Sequence, residues 1–131
     1  MSKAPAIRYF RPFLVATPET FQACRDFYDR IGFQLLWEKE DAAEFKTGSG
    51  DGRFLLTLHH GLVPTRVGVF HIEVDDVAAW HRHIEGLNLQ ADFPTTRFSA
   101  PEITEWGWHL FYVWDPAGTL LHIGHPQRPG G

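Results

Sequence analysis

The stretch Trp106-Gly-Trp-His-Leu-Phe-Tyr-Val-Trp-Asp-Pro-Ala-Gly-Thr-Leu-Leu-His-Ile-Gly124 decides how this chain is read. Residues 108–114 are aromatic and β-branched, which suits a pleated strand. Asp115-Pro116-Ala117-Gly118 is turn chemistry: proline presets φ, and glycine tolerates a positive one. Residues 119–124 then return as a second strand, so the stretch predicts a hairpin. Side chains alternate across a strand, which puts Leu120, His122 and Gly124 on one face and Leu121 and Ile123 on the other. By the same parity Tyr112 goes with Trp108 and Trp114. A mid-strand histidine with tryptophans at the mouth of the hairpin is unusual for a plain core. The hairpin is expected to be one wall of a cleft, with Trp106 and His122 at either end.

Upstream, residues 66–74 predict a strand. Asp75 or Asp76 caps a helix bearing Val77, Trp80 and Ile84 on one stripe, and Gly86 closes it. Short strands are expected at 87–91 and 93–98, followed by an acidic, flexible loop at 99–105 that rims the pocket. The first half repeats the pattern. Residues 8–16 predict a strand, with Pro12 implying an edge or a bulge. Thr17 is the expected N-cap, Pro18 the first helical residue, and Glu19 an acid at the positive end of the dipole. Phe21, Cys24, Phe27, Tyr28 and Ile31 form the apolar stripe, and Gly32 ends the helix. Strands at 33–39, 43–47 and 53–59 follow, with an acidic turn at 38–41 and a Gly-rich loop at 48–52. That loop lacks the Lys and Ser/Thr of a phosphate-binding loop. The halves start about 59 residues apart, and each runs strand, helix, three strands. The expected fold class is α+β: two βαβββ units, 8–60 and 66–125, in one domain, whose sheets pair around a cleft. Residues 126–131 are expected to be a flexible tail.

Composition narrows the function. Hydrophobic residues make up 44% and charged residues 21%, as in ordinary globular chains. A net charge of −4 argues against a nucleic-acid partner, which needs a basic face. A lone cysteine, Cys24, forbids an internal disulfide and reads as a buried, inert thiol. With no leader pattern and no apolar run near 18 residues, the expectation is a cytoplasmic protein without a membrane span. Aromatic residues reach 15%, five of them tryptophan, and aromatics line ligand pockets as readily as they fill cores. Trp80 belongs to the core, while His81 and His83 face solvent.

Asp26-Phe-Tyr-Asp-Arg-Ile-Gly-Phe33, Phe70-His-Ile-Glu-Val-Asp-Asp-Val77, and Trp106-Gly107 leading into Asp115-Pro-Ala-Gly118 carry a family resemblance. The chain resembles the vicinal-oxygen-chelate superfamily of glyoxalases, extradiol dioxygenases and bleomycin-resistance proteins, and looks most like the bleomycin-resistance branch. That resemblance implies a homodimer whose pocket lies between subunits and which binds a drug without a catalytic metal. Metalloenzyme relatives keep a ligand seven residues after the Asp of the Asp-Pro-x-Gly turn, which here is His122. The first strand of the second half offers Val69, or His71 two residues on. Glu73 shares the His71 face and could complete a set of two histidines and a carboxylate. The first half offers Phe10 or Pro12, and Leu55 or Leu56; His59 and His60 come too late. The ligand set is therefore incomplete for zinc, iron or manganese.

Bland readings stand beside these. His71 and His122 can be satisfied structural histidines, Glu73 can pair with Arg66, and the tryptophans can be packing residues. The residues expected to contact a ligand are Trp106, Trp108, Tyr112, His71, Glu73 and His122. The expected function is non-catalytic enclosure of an aromatic or cationic small molecule. The alternative is a metal-dependent lyase, isomerase or dioxygenase using His71 and His122.

Overall fold

A computed structural model of the chain describes residues 5, 6, 8, 11–49, 51–58 and 68–127. The first half contains β1 (Phe13–Ala16), α1 (Phe21–Arg30), β2 (Gln34–Lys39), β3 (Ala42–Lys46) and β4 (Arg53–Leu58). The second contains β5 (Val69–Glu73), α2 (Val77–Gly86), α3 (Leu89–Asp92), β6 (Arg97–Phe98), β7 (Glu102–Ile103), β8 (Trp108–Trp114) and β9 (Leu120–Pro126). The first sheet has the order β1-β4-β3-β2; the second runs β5-β9-β8-β6, with β7 also paired to β8. In each half the first strand runs parallel to the last and the remaining pairs are antiparallel. The two-unit α+β reading therefore holds, and β1 is an edge strand, as Pro12 suggested.

Local boundaries moved for identifiable reasons. β1 begins at Phe13 rather than residue 8, just past the proline that cannot donate to a ladder. Thr17 does not cap α1. A tight turn intervenes, in which Phe21 N–H donates to the Thr17 carbonyl at 2.9 Å, and the helix starts at Phe21 with Thr20 as its N-cap. The end of α1 follows the expectation closely. Gly32 has φ +109°, its N–H donates to Asp29 O, and Phe33 N–H reaches back to Tyr28 O at 3.1 Å. The Phe33 and Tyr28 rings stack at 5.8 Å, the apolar contact that accompanies this kind of helix end. Asp76 caps α2 by accepting from Ala79 N–H at 3.0 Å. Gly86 stays inside that helix, and Asn88 takes the left-handed turn at φ +51°. The strand expected at 87–91 is replaced by α3, and the one at 93–98 shrinks to Arg97–Phe98. The 99–105 loop holds β7, clipped to β8 through Glu102 opposite Leu110. Pro126 extends β9, and Gln127 N–H donates to Gly107 O at 2.7 Å, so neither belongs to a loose tail.

Both sheets turn one face to a shared core. Leu14, Ala16, Phe45, Phe54 and Leu56 of the first meet α1, while Phe111, Val113, Leu121 and Ile123 of the second meet α2. Cys24 and Ile84 are fully buried on the two helices. The seam between the halves is polar at its centre. Tyr28 O–H donates to Asp115 Oδ2 at 2.7 Å, and Asp115 Oδ1 accepts from Ala117 N–H at 2.8 Å and Thr119 N–H at 2.9 Å. The acid of the opening turn is therefore buried, setting the turn and joining the two units at once. Burial is the main force raising the Asp115 carboxyl above the usual carboxylate range, against the hydrogen bonds that lower it. Burial likewise pushes the Cys24 thiol far up, and the side chain is buried, as expected. His83 is exposed but not free. Its Nε2–H donates to Ile31 O at 2.9 Å, closing a carbonyl at the end of α1. His81 is half-buried against Phe98 and Phe111, which corrects its solvent-facing expectation.

Candidate functional site

The outer face of the second sheet carries the site. β5 and β9 run parallel in a register that sets His71 directly beside His122. β8 and β9 run antiparallel in a register that sets Tyr112 beside His122. Because Leu121, Ile123, Phe111 and Val113 face the core, strand alternation sends His122, Tyr112, Trp108 and His71 outward. The rings then meet. His71 packs edge-on to Trp108 at 4.4 Å, and Tyr112 edge-on to His122 at 5.0 Å. His71 and His122 lie 6.0 Å apart. Trp106 lies 6.2 Å from both Trp108 and His122. Folding the hairpin back puts Trp106 and His122 side by side, which corrects their expected placement at opposite ends. Trp106 is 55% exposed, a flat apolar surface left open to solvent. Gly124 lies on the same face, two residues beyond His122 and opposite Leu110. A methyl group there would overlap the backbone of His109 and Leu110, so glycine is what lets β8 and β9 close.

Electrostatics favour neutral imidazoles. Partial desolvation lowers the His122 pKa below the ordinary histidine value of 6.5. The same cause, followed by the neighbouring His122, lowers that of His71, while Glu73 pulls the other way. Glu73 is exposed on the His71 face and is the one expected ligand-contact residue outside the ring cluster. Arg66, its expected partner, lies outside the described residues, as do Phe10, His59 and His60. A neutral imidazole pair both donates and accepts hydrogen bonds, and the surrounding rings supply stacking area.

The first sheet shows what the corresponding places hold. His71 lies six residues before Val77, the first residue of α2; Val15 lies six before Phe21, the first of α1. Val15 pairs with Thr57 as His71 pairs with His122. The first-half counterparts are thus Val15 and Thr57, not the Phe10, Pro12, Leu55 or Leu56 expected from the sequence. Neither is a customary metal ligand. Among the described residues, no group of three His, Cys, Asp or Glu side chains is placed to hold a metal ion.

Two functional candidates, Trp37 and Glu44, escaped the sequence reading. Trp37, 40% exposed, sits on the outer face of the first sheet, and its Nε1–H donates to Glu44 Oε1 at 2.7 Å. Glu44 is 2% exposed and also receives Arg11 at 3.1 Å. The signal that could have found it was an acid in mid-strand between Ala43 and Phe45. A cavity of about 790 Å³ lies elsewhere, between the units, lined by Leu14, Phe54, Phe70, Ile72, Trp80 and Leu121 with acids Glu73, Asp75 and Asp76 at its edge. It shares His71 with the ring cluster, and takes in Glu73 beside it, but none of the cluster's tryptophans.

No family model matches the chain. The chain is 31% identical over 107 residues to the bleomycin resistance protein of Klebsiella pneumoniae, an alignment spanning 79% of this chain and 82% of that one. A solved bleomycin-binding protein complexed with bleomycin superposes with a TM-score of 0.72 at 26% identity, covering 93% of this chain and 99% of that one. The bleomycin-binding protein from Streptomyces verticillus, complexed with copper(II)-bleomycin, gives 0.63 at 25% identity, covering 90% and 97%.

Proposed function

The chain belongs to the bleomycin resistance protein family, and on that premise we propose that it is a small-molecule-binding protein that encloses an aromatic or cationic ligand without a catalytic metal. The observation that carries this reading is the cluster of Trp106, Trp108, Tyr112, His71 and His122 on one open sheet face. Rings left exposed in a folded chain stabilise whatever removes them from water, by ~25 cal/mol per Å² of apolar area covered. The imidazoles orient the ligand through hydrogen bonds, and Glu73 supplies charge for a cationic group. The donor set supports binding over metal chemistry, because Val15 and Thr57 stand where a second pair of ligands would be needed.

The site works at a homodimer cleft. One open sheet face covers one side of a ligand, whereas pockets enclose most of its surface. Phe13, Val69, Ile103, Trp37 and Trp106 are all large, apolar and exposed, which favours a second copy as the missing wall. Tryptophan quenching on titration with bleomycin tests the reading, with molar mass from sedimentation equilibrium in parallel. Saturable quenching by a dimer, lost in Trp106→Ala, is expected. Stoichiometric iron, zinc or manganese in protein purified without added metal, lost in His122→Ala, would sink it in favour of the metal-dependent enzyme.

A further inference from the structure

The two outer faces hold their aromatic rings differently. On the second sheet the rings support one another. On the first, Trp37 is gripped from beneath. The β2–β3 register slips between Leu35 and Trp37: Leu35 faces Phe45, but the next pair is Trp37 with Glu44. A regular strand would have set Leu36 opposite Glu44 and kept Trp37 on the side of Leu35, which packs on the core. One extra residue turns the indole outward instead, the usual use of a bulge. Glu44 then takes the indole N–H at 2.7 Å. Arg11 lies 3.1 Å from the same oxygen, and the Arg53 guanidinium lies 3.7 Å from the other. That second oxygen, Oε2, is buried and has no hydrogen bond among the described residues. A buried carboxylate half satisfied in this way is an expensive way to fill a strand face. What it does achieve is a charge-assisted grip on an exposed ring.

We propose that Glu44 is a positioning residue that fixes the Trp37 indole as a rigid stacking surface for the ligand. The proposal rests on the aromatic-ligand reading above for the identity of what stacks, but not for the grip itself. Glu44 acts through Trp37 and does not touch the ligand. An indole held at both its strand and its N–H loses little freedom on stacking, so the grip appears in affinity. Glu44→Gln keeps an acceptor oxygen for the N–H; Glu44→Leu removes it.

The test combines indole ¹H–¹⁵N spectra with bleomycin titrations of the full chain. The Trp37 signal, assigned from its absence in Trp37→Phe, should be downfield and slow to exchange with solvent. In Glu44→Leu it should move upfield and exchange fast, while Glu44→Gln largely retains it. Bleomycin should bind about tenfold more weakly to Glu44→Leu, and Glu44→Leu should have no further effect in a Trp37→Ala background. An unmoved indole signal overturns the proposal, as does an equal affinity loss in that background, which would place Glu44 against the ligand itself. Should Glu44→Leu not fold, Trp37→Phe, which keeps a ring without the N–H, carries the test: unchanged affinity overturns the proposal. If wild-type protein binds no bleomycin, the ligand reading fails and the indole signal alone decides the grip.

Discussion

The outer faces of the two sheets hold equivalent places in the two units and carry different chemistry. The first presents Trp37 over the buried Glu44, with Arg11 against the carboxylate and Val15 and Thr57 at its parallel pair. The second presents His71 and His122 at that pair, with Trp106, Trp108 and Tyr112 around them. The inner faces show no such contrast: both are apolar and close on one core. The two units have therefore kept what packing demands and diverged where side chains leave the core. A face freed from packing can hold charge, imidazole or bare indole.

The comparison depends on the seam that holds the units in one body, so the largest expected effect is there. Asp115→Ala removes the acceptor for the buried Tyr28 hydroxyl and both turn hydrogen bonds, and should cost about 3 kcal/mol of stability, read from denaturant unfolding. A loss confined to the second unit would show that the units do not fold together. The pH dependence of this site has a definite sign. The folded-state pKa of Asp115 is raised, so its stabilisation is full below the unfolded value near 3.8 and is lost as pH rises through the folded value. Wild type should therefore gain stability over Asp115→Asn as the medium is acidified across that interval.

Removing the exposed ring of the second face comes next. Trp106→Ala should weaken bleomycin binding by about 2 kcal/mol, measured by calorimetry, with little change in melting temperature because the indole is 55% exposed. An unchanged affinity would move the ligand off this face. A smaller effect follows from the imidazoles. Their folded pKa values are lowered, so the stability associated with their neutral form is complete above about 6.5 and is lost as pH falls through the folded values. Affinity for a cationic ligand should be level from about pH 8 to 6.5 and fall below that. His122→Gln should flatten part of the fall, whereas Thr57→Gln on the other sheet should leave it in place. The smallest effect is at His83, whose bond to Ile31 O joins α2 to α1. His83→Ala should cost about 1 kcal/mol in unfolding experiments, without touching affinity.

Much of the fold could be read directly. The Gly32 helix end, the Asp115–Gly118 turn and the alternation of residues 119–124 are local signals, and local physics enforces them. The boundaries that moved are those where a short-range signal had a competitor. Thr17 and Pro18 look like a helix start, yet a turn preceded the helix; 87–91 looks extended, yet Asn88 accepted a left-handed turn and α3 followed. Within the candidate site, His71, Trp108, Tyr112 and His122 came together because they share strand parity on β5, β8 and β9, and Trp106 joined them from the turn ahead of β8. Trp37 did not declare itself, because only the register slip between β2 and β3 turns it outward over Glu44.

The sequence by itself determined the two βαβββ units, the hairpin, and the shared parity of Trp108 with Tyr112 and of Leu120 with His122, all of which follow from periodicity and turn chemistry within a few residues. Only the tertiary structure decided what those residues meet. The His71–His122 pairing comes from a parallel register between strands some fifty residues apart. The burial of Asp115 comes from Tyr28 in the other unit, and the grip on Trp37 from a register slip between β2 and β3. Contacts of that kind are set by how whole sheets and helices close on a shared core, and no local pattern encodes them.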